Sequence, residues 1–407
     1  MKRFFGISAI VVGFALFVGF GLGVASVPAF AQTRTESVFN GHRIIIPDSS
    51  IPRPGRHHTN YFFVDTDIPN ASGPPKGVET PGSVACVYKL VTGPTGCPVA
   101  TSTNLPNGGW GAIAIVDAGD YPTAASDLAA FSSYYGIAAA DLTVTWPGGK
   151  KNKPPVYSDW VVEEALDIEW AHAMAPQAKL FLVESVQVNT DPTWSAVQLA
   201  AKLVAKNGGG VVSMSWGDPE VKQERNWDKY FTTKGVVYFA AAGDSGIGVS
   251  IYPGASPNVV SVGGTHFVRN PSGAFVTEQY YSSGGGGNIS PYEPTPSYQS
   301  GIANIVGTHR GYPDVASDFC CAPIYLQGGW YSVGGTSWAS PTFAGIVNAA
   351  GNKQQSSADE LTWIYSELAN PTEYAADFFD ISTGASQCAV GWDLCAGVGS
   401  PRTYVGK

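Results

Sequence analysis

The chain has 407 residues, is 44% hydrophobic but only 14% charged, and carries 23 basic against 32 acidic residues for a formal charge of -9. That balance excludes the basic surface on which nucleic-acid binding depends. The length suits one large α/β domain with loop insertions, enough to bury a substantial core.

Met1-Lys2-Arg3, an apolar run from Phe4 to Val27 and the small-residue ending Ala29-Phe30-Ala31 read as a secretory signal peptide over residues 1–31. Left uncut, a run of this length would suffice to anchor the chain in a bilayer. No other stretch is apolar enough to span one. The expected product is therefore exported, extracellular or periplasmic where an outer membrane exists, with no membrane contact after signal cleavage, and monomeric.

Residues 32–80 carry Pro-rich punctuation and read as an irregular extension or short pro-segment. His57-His58 lies within it and reads as solvated. From about residue 81, short apolar runs alternate with helical patterns. Strands are expected over 111–117, 178–184, 210–216, 235–241 and 258–262, and helices over 123–135, 159–174 and 193–207. This alternation predicts an α/β fold with a mainly parallel central sheet and helices on both faces, its functional groups at the carboxyl ends of the strands. Six cysteines in an exported chain favour disulfides. Cys86 with Cys97 and Cys388 with Cys395 are the shortest closures, while adjacent Cys320 and Cys321 either bridge each other or pair elsewhere.

The sharpest local feature is Gly334-Gly335-Thr336-Ser337-Trp338-Ala339-Ser340-Pro341, followed by an apolar helical run. Glycines before the serine permit close backbone approach, and the following helix N-terminus favours developing negative charge. Alone, such a turn is a helix cap. A serine nucleophile needs a base, and histidine does not supply one: His172, His266 and His309 sit in plain apolar or turn contexts and read as structural. Glu163 and Asp167 stand four apart on one helix face, within a stripe that includes Trp160, Trp170, Ala171 and Met174. Carboxylates in such a stripe would more readily share a proton than stay charged and unpaired, although an isolated acidic pair at this spacing is ordinary helix surface. A third segment, Phe239 to Gly246, is an apolar strand ending in Asp244, read either as an Asx-type turn or as an acid at a functional strand end. Gly284-Gly285-Gly286-Gly287 lacks the Lys-Ser/Thr ending of a phosphate loop and reads as a flexible loop lining a groove. Trp110, Trp330 and Trp338 could serve peptide or sugar contacts, but core packing is the default reading for most of the aromatic content.

Together these segments resemble the sedolisin family of serine-carboxyl peptidases, acid relatives of the subtilisins, over about residues 81–401. The likeness rests on Gly334 to Pro341, Glu163 to Glu169 with Ala175-Pro176-Gln177-Ala178, Ser213-Met214-Ser215-Trp216-Gly217 and Ala242-Gly243-Asp244-Ser245-Gly246. The resemblance implies a subtilisin-like fold and a peptidase domain over 81–407. It implies that Ser337 attacks the scissile carbonyl, Glu163 accepts its proton, Asp167 supports Glu163, and Asp244 lines the oxyanion hole. By the same likeness Trp216 and Asp117 belong to the outer network, and Ser215, Trp216, Gly217 and Gly335 contact protein or peptide substrates. It further implies one structural Ca2+ held by Asp380 and Asp393 with the carbonyls of Ile381, Ala389 and Gly391, where Ala389 replaces a usual glycine. Family precursors usually carry a large folded prodomain, whereas here only about fifty residues separate Ala31 from the start of the match, so the arm is either a permanent part of the domain or a minimal pro-segment.

The implied chemistry is consistent in pKa terms. A glutamate base and a protonated aspartic acid donor both call for acid conditions. The expected function is thus a secreted, acid-active serine endopeptidase. The alternatives are a tripeptidyl aminopeptidase on the same scaffold and a catalytically silent secreted binding protein.

Overall fold

The computed structural model describes residues 34–39, 42–64, 72–188, 190–281, 285–351 and 354–407. The signal-peptide reading lies outside the described residues, as does Gly284. No helix of the described residues is long and apolar enough to cross a membrane.

The chain opens with β1 (Arg34–Phe39), β2 (His42–Pro47), β3 (His58–Thr59) and β4 (Phe62–Val64), then α1 (Pro81–Val87), β5 (Ala112–Ala118), α2 (Ala124–Tyr135) and β6 (Leu142–Thr145). Next come α3 (Ser158–Met174), β7 (Lys179–Ser185), α4 (Thr190–Lys206), β8 (Gly210–Met214), β9 (Trp216–Pro219) and β10 (Val236–Ala241). β11 (Ile251–Tyr252), β12 (Val260–Arg269), β13 (Phe275–Tyr280), β14 (Asn288–Pro294), α5 (Ala303–Val306) and β15 (His309–Tyr312) follow. The last part holds β16 (Val315–Asp318), β17 (Cys320–Leu326), β18 (Gly329–Gly334), α6 (Thr336–Ala350), α7 (Ser357–Ala369), α8 (Pro371–Asp377), β19 (Phe378–Phe379) and β20 (Ser400–Pro401).

The central sheet runs β13-β12-β10-β8-β5-β7-β6, with β16 also paired to β12. All its pairings are parallel except β12 with β13. Strand β5 is buried at every position, as a parallel strand covered on both faces must be. Its alternate residues divide between two cores. Ile113 and Ile115 join one with α2, α3 and α6, while Ala112, Ala114 and Val116 join another with α4. The fold class is the α/β, mainly parallel, two-faced architecture expected. Helix α3 packs closely on α6: a Cβ added at Gly345 would lie 2.7 Å from Met174 Cβ, and the Trp170 and Trp338 rings meet edge to face at 4.7 Å.

The main departure is the arm. The stretch expected to be irregular over 32–80 supplies four strands, and β1, β2 and β4 form a five-stranded sheet with β18 and β17. Its strands are too short for a sequence period to show and pair with partners hundreds of residues away, as Phe62 does with Gly334. The three disulfides are Cys86–Cys97, Cys388–Cys395 and the vicinal Cys320–Cys321.

Candidate active site

Three parallel strands deliver the site from their carboxyl ends. β5 carries Asp117, β8 leads into Ser215, and β10 leads into Asp244. Ser337 enters from the opposite segment, at the first turn of α6, capped by Gly335 at φ 132°. A Cβ on Gly335 would fall 2.0 Å from Asn60 O and 2.6 Å from Asp244 Oδ2, so glycine is required for both its φ and its space.

The first amides of α6 have no partner within the helix. Thr336 N donates to Asp244 Oδ1 at 2.8 Å and Ser337 N to Asn60 O at 3.1 Å. Pro341 inside α6 has no N–H to give the Ser337 carbonyl. That carbonyl instead accepts the Ser215 hydroxyl at 3.3 Å, and the same hydroxyl bonds Asp167 Oδ1 at 2.8 Å.

Helix α3 is buried on every side from Trp160 to Met174. Glu163 and Asp167 therefore face protein and not water. Burial raises both carboxyls well above the usual range, and the neighbouring Asp117 raises them further. Glu163 has no well-aligned hydrogen bond at either oxygen. The Ser337 hydroxyl and the Asn60 backbone are nonetheless near enough to favour its ionised form. The Ser337 Oγ itself donates to Ser215 O at 3.0 Å and accepts from Asn60 N at 3.1 Å. Asp244 is pushed up to about 8, mainly by burial, against the pull of the Thr336 amide and hydroxyl.

The structure thus brings Ser337, Glu163, Asp167, Asp244, Ser215 and Gly335 together. Asp117 stands beside both α3 acids, with its own carboxyl raised by burial and by Glu184, but bonds neither. Trp216 forms a wall: its indole donates to Val116 O at 2.7 Å, not to an acid. Gly217 lies on β9, paired with His58.

That pairing was not foreseen. The two histidines expected in solvent are each 3% exposed. The His57 ring lies 4.5 Å from the Trp216 ring and its Nδ1 2.8 Å from Asp218 Oδ2. β3 runs antiparallel to β9, with Thr59 opposite Trp216, and Asn60 Nδ2 donates to Ser215 O at 3.1 Å. The only sequence trace of this role is a run of polar and aromatic residues, His57 to Phe63, between Pro-rich turns. His172 is buried and donates from Nε2 to Ala138 O, 2.8 Å away, with its pKa lowered by burial. Of the glycine run, Gly285, Gly286 and Gly287 are packed against backbone, since a Cβ on each would meet a carbonyl oxygen at 2.6 Å or less.

Near the C-terminal end, Asp380 Oδ2 accepts from Gly391 N at 3.1 Å and Asp393 from the amides of Ala389, Cys395 and Ala396. Burial raises Asp380 and pushes Asp393 to about 6, with Asp380 adding to the latter, and no basic side chain is among the groups that shift them. Two facing carboxyls without a basic partner, beside the carbonyl-bearing turns of Ile381, Ala389 and Gly391, fit a hard, oxygen-seeking cation. Cys388, Asp393 and Cys395 also cluster, within 4.8 Å, but both sulfurs are committed to the disulfide and supply no thiolate.

Comparison with known proteins settles the kinship. The model of the subtilase family matches residues 148–363, over half of the chain. The chain belongs to the subtilase family, in its sedolisin branch. It is 32% identical to kumamolisin of Bacillus sp. strain MN-32 over 355 residues, and 26% to sedolisin of Pseudomonas sp. strain 101 over 378. Those alignments cover 74% and 81% of this chain, but 61% and 60% of the relatives. The sedolisin-family chain therefore spans about three fifths of the length of these curated relatives. The solved structure of Pseudomonas sedolisin, a serine-carboxyl proteinase complexed with two molecules of pseudo-iodotyrostatin, superposes with a TM-score of 0.65 at 23% identity. That match covers 81% of this chain and 96% of the other, and shows the shared subtilisin-like fold.

Proposed function

We propose that this sedolisin-family chain is an exported, acid-active serine endopeptidase working through an acyl-enzyme. The reading is carried by one observation: the Ser337 hydroxyl lies within the influence of the Glu163 carboxyl, in a buried pocket that holds Asp244 protonated up to about 8. Ser337 attacks the substrate carbonyl as Glu163 takes its proton. The oxyanion is stabilised by the Ser337 amide and by the Asp244 acid, whose Oδ1 is already engaged by Thr336, leaving Oδ2 for the donor proton. Glu163 then returns its proton to the leaving amine, and water repeats the sequence on the ester. Asp167, fixed by Ser215, keeps the charge on the acid cluster shared, while Ser215, Trp216 and Gly217 pair with the substrate backbone and Gly335 admits it.

An internal cut is favoured over removal of a tripeptide. The groove along β9 already accommodates a strand at His58–Thr59, and that strand continues upstream through His57, whose amide donates to Val188 O at 2.9 Å. A groove open beyond the third residue does not require a free substrate amino terminus. Asp380 and Asp393, with the carbonyls of Ile381, Ala389 and Gly391, would hold a structural Ca2+ that braces the C-terminal loop.

The test is digestion of a peptide library from pH 3 to 8 by the protein and by its Ser337→Ala variant. Internal cuts peaking below neutral pH and absent in the variant are expected. Activity that survives Ser337→Ala, or requires a free substrate amino terminus three residues from the cut, overturns the reading.

A further inference from the structure

Two neighbouring strands under α3 end in acids that the proton transfer itself does not touch. Side chains alternate between the faces of a strand, and Ile113 with Ile115 on β5 and Leu180 with Leu182 on β7 join the core beneath α3. The next position of the same face is Asp117 on β5 and Glu184 on β7, and the two stand side by side in the parallel register. Glu164 of α3 faces both. Asp120 lies in the turn after β5, its amide donating to Pro155 O at 2.9 Å. Lys153 ends the row at the surface: its side chain is 48% exposed and its Nζ lies 2.9 Å from Asp120 Oδ1.

Asp117, Glu164 and Glu184 are each 1% exposed or less. Neither oxygen of Asp117 or Glu164 has a hydrogen-bond partner, whereas Glu184 Oε1 accepts the Tyr121 amide at 3.0 Å. Several unpaired charges cannot be buried together without heavy cost, so the row ionises first where a carboxylate is best supported. That place is Glu184. Burial pushes its carboxyl up, the Tyr121 amide pulls it back, Asp120 raises it and the Lys153 ammonium lowers it, leaving it at about 7. Burial and then Glu184 hold Asp117 well above the usual range, and burial, Glu184, Asp117, Asp120 and Asp167 do the same to Glu164. Lys153 is the one basic side chain among the groups that shift these acids. The acids that face Glu163 are Asp117, Asp244 and Asp167. Glu184 is not among the groups that shift Glu163, whereas Asp117 is the foremost charged one.

We propose that Glu184, backed by the surface ion pair of Lys153 with Asp120, is a positioning residue for the catalytic base: it takes the charge that would otherwise fall on Asp117, and so leaves Glu163 free to accept the Ser337 proton. The proposal rests on the peptidase reading above. The influence passes inward with alternating sign. A negative Glu184 keeps the proton on Asp117, and a neutral Asp117 does not repel a carboxylate at Glu163. Without the charge on Glu184, Asp117 competes with Glu163 for ionisation and the base holds its proton to higher pH. Losing Lys153 leaves Asp120 unbalanced beside Glu184, so Glu184 gives up its charge and the effect on Glu163 has the same sign. A surface lysine thereby sets the acid limit of a base buried on the next helix.

The experiment records kcat/KM on one peptide substrate against pH, whose acid limb reports the base of the free enzyme, for the full chain and a set of variants that keep side-chain shape. Glu184→Gln still accepts the Tyr121 amide and should move the limb up by about half a pH unit or more, as a like charge returned beside Glu163 requires. Lys153→Met should move it the same way by less, Lys153→Arg should leave it in place, and Asp117→Asn should move it down. In the Asp117→Asn background, Glu184→Gln should move nothing, because its route to Glu163 is gone. A limb that stays or falls with Glu184→Gln, an equal rise in the Asp117→Asn background, or a lower plateau with no shift of the limb, as a merely structural role gives, overturns the proposal and leaves the peptidase reading standing. Lys153 lies at the surface, so its variants fold whether or not the buried substitution is tolerated, and an unmoved limb in Lys153→Met overturns the proposal as well. A folded parent that cuts no peptide at any pH overturns both.

Discussion

Thr336 engages one oxygen of Asp244 twice, through its amide at 2.8 Å and its hydroxyl at 2.7 Å, and so commits Oδ1 as an acceptor. The other oxygen, Oδ2, is buried and has no bonding partner. A proton on Asp244 therefore belongs on Oδ2, beside the carbonyl position. Burial holds the group protonated up to about 8, and raising the pH through that value replaces a donor with a negative charge facing an oxyanion. Asp244→Ala is expected to lower kcat by a hundredfold or more, about 3 kcal/mol of transition-state stabilisation. Asp244→Asn keeps a neutral donor that does not ionise, so its kcat/KM should hold to higher pH than the parent's. A pH profile with the same alkaline limb in both proteins would remove Asp244 from this role.

The proton path makes a second, separable claim. Ser337→Ala and Glu163→Gln each remove one member of a pair that acts as a unit, and each should reduce kcat by roughly 10^5-fold or more, with the double variant little worse than either. Asp167→Asn should cost less, because Asp167 touches Ser215 and not Ser337. Single-turnover kinetics on one peptide substrate would test the order. Equal losses for Asp167→Asn and Glu163→Gln would make the two acids interchangeable and void the assignment.

The parts of this site that were legible in the sequence are those set by local chemistry. The serine turn declares itself through Gly334 and Gly335 before an apolar helix, and the acid pair through its four-residue spacing. The parallel sheet shows as short runs rich in Val, Ala and Ile. Long-range pairings were not legible. Nothing near His57 or His58 announces Trp216 or Asp218 as partners, so two polar residues in a Pro-rich arm read as solvated. Their burial depends on a groove assembled from β9 and α4, more than a hundred residues later. The same holds for Pro341: its missing N–H is visible in the sequence, but that it frees the Ser337 carbonyl for Ser215 is a fact of packing.

Stability should fall as pH rises from acid to neutral. Burial pushes Glu360 and Asp244 to about 8, Glu224 to about 9 and Glu278 to about 7. Each of these folded-state values exceeds that of an exposed acid near 4, so between about pH 4 and 8 the folded chain binds more protons than the unfolded one. Unfolding free energy then declines with rising pH. The stabilisation is fully present below pH 4 and is lost as the pH passes through 7 to 9. Lys407, lowered to about 7, opposes this with a single group. Thermal unfolding of the Ser337→Ala protein should therefore give a higher Tm at pH 4 than at pH 8. A Tm that rises across this interval would contradict the burial of these acids.

The C-terminal loop offers a prediction independent of catalysis. Asp393 is bonded by three backbone amides and so shapes the turn whether or not an ion is bound, whereas Asp380 takes one backbone amide, Gly391 N at 3.1 Å, with the Tyr374 hydroxyl beside it. Asp380→Asn thus removes a charge from the cation site while leaving most of the turn's hydrogen bonds in place. If the site takes Ca2+, adding the ion at about a hundred times its Kd should stabilise the parent by about 2.7 kcal/mol, a shift of a few degrees in Tm for a domain of this size. Asp380→Asn should lose most of that shift yet melt near the calcium-free parent. Melting curves in calcium and in chelator, recorded at pH 7, check this. A parent whose Tm is indifferent to chelator holds no structural calcium at this loop.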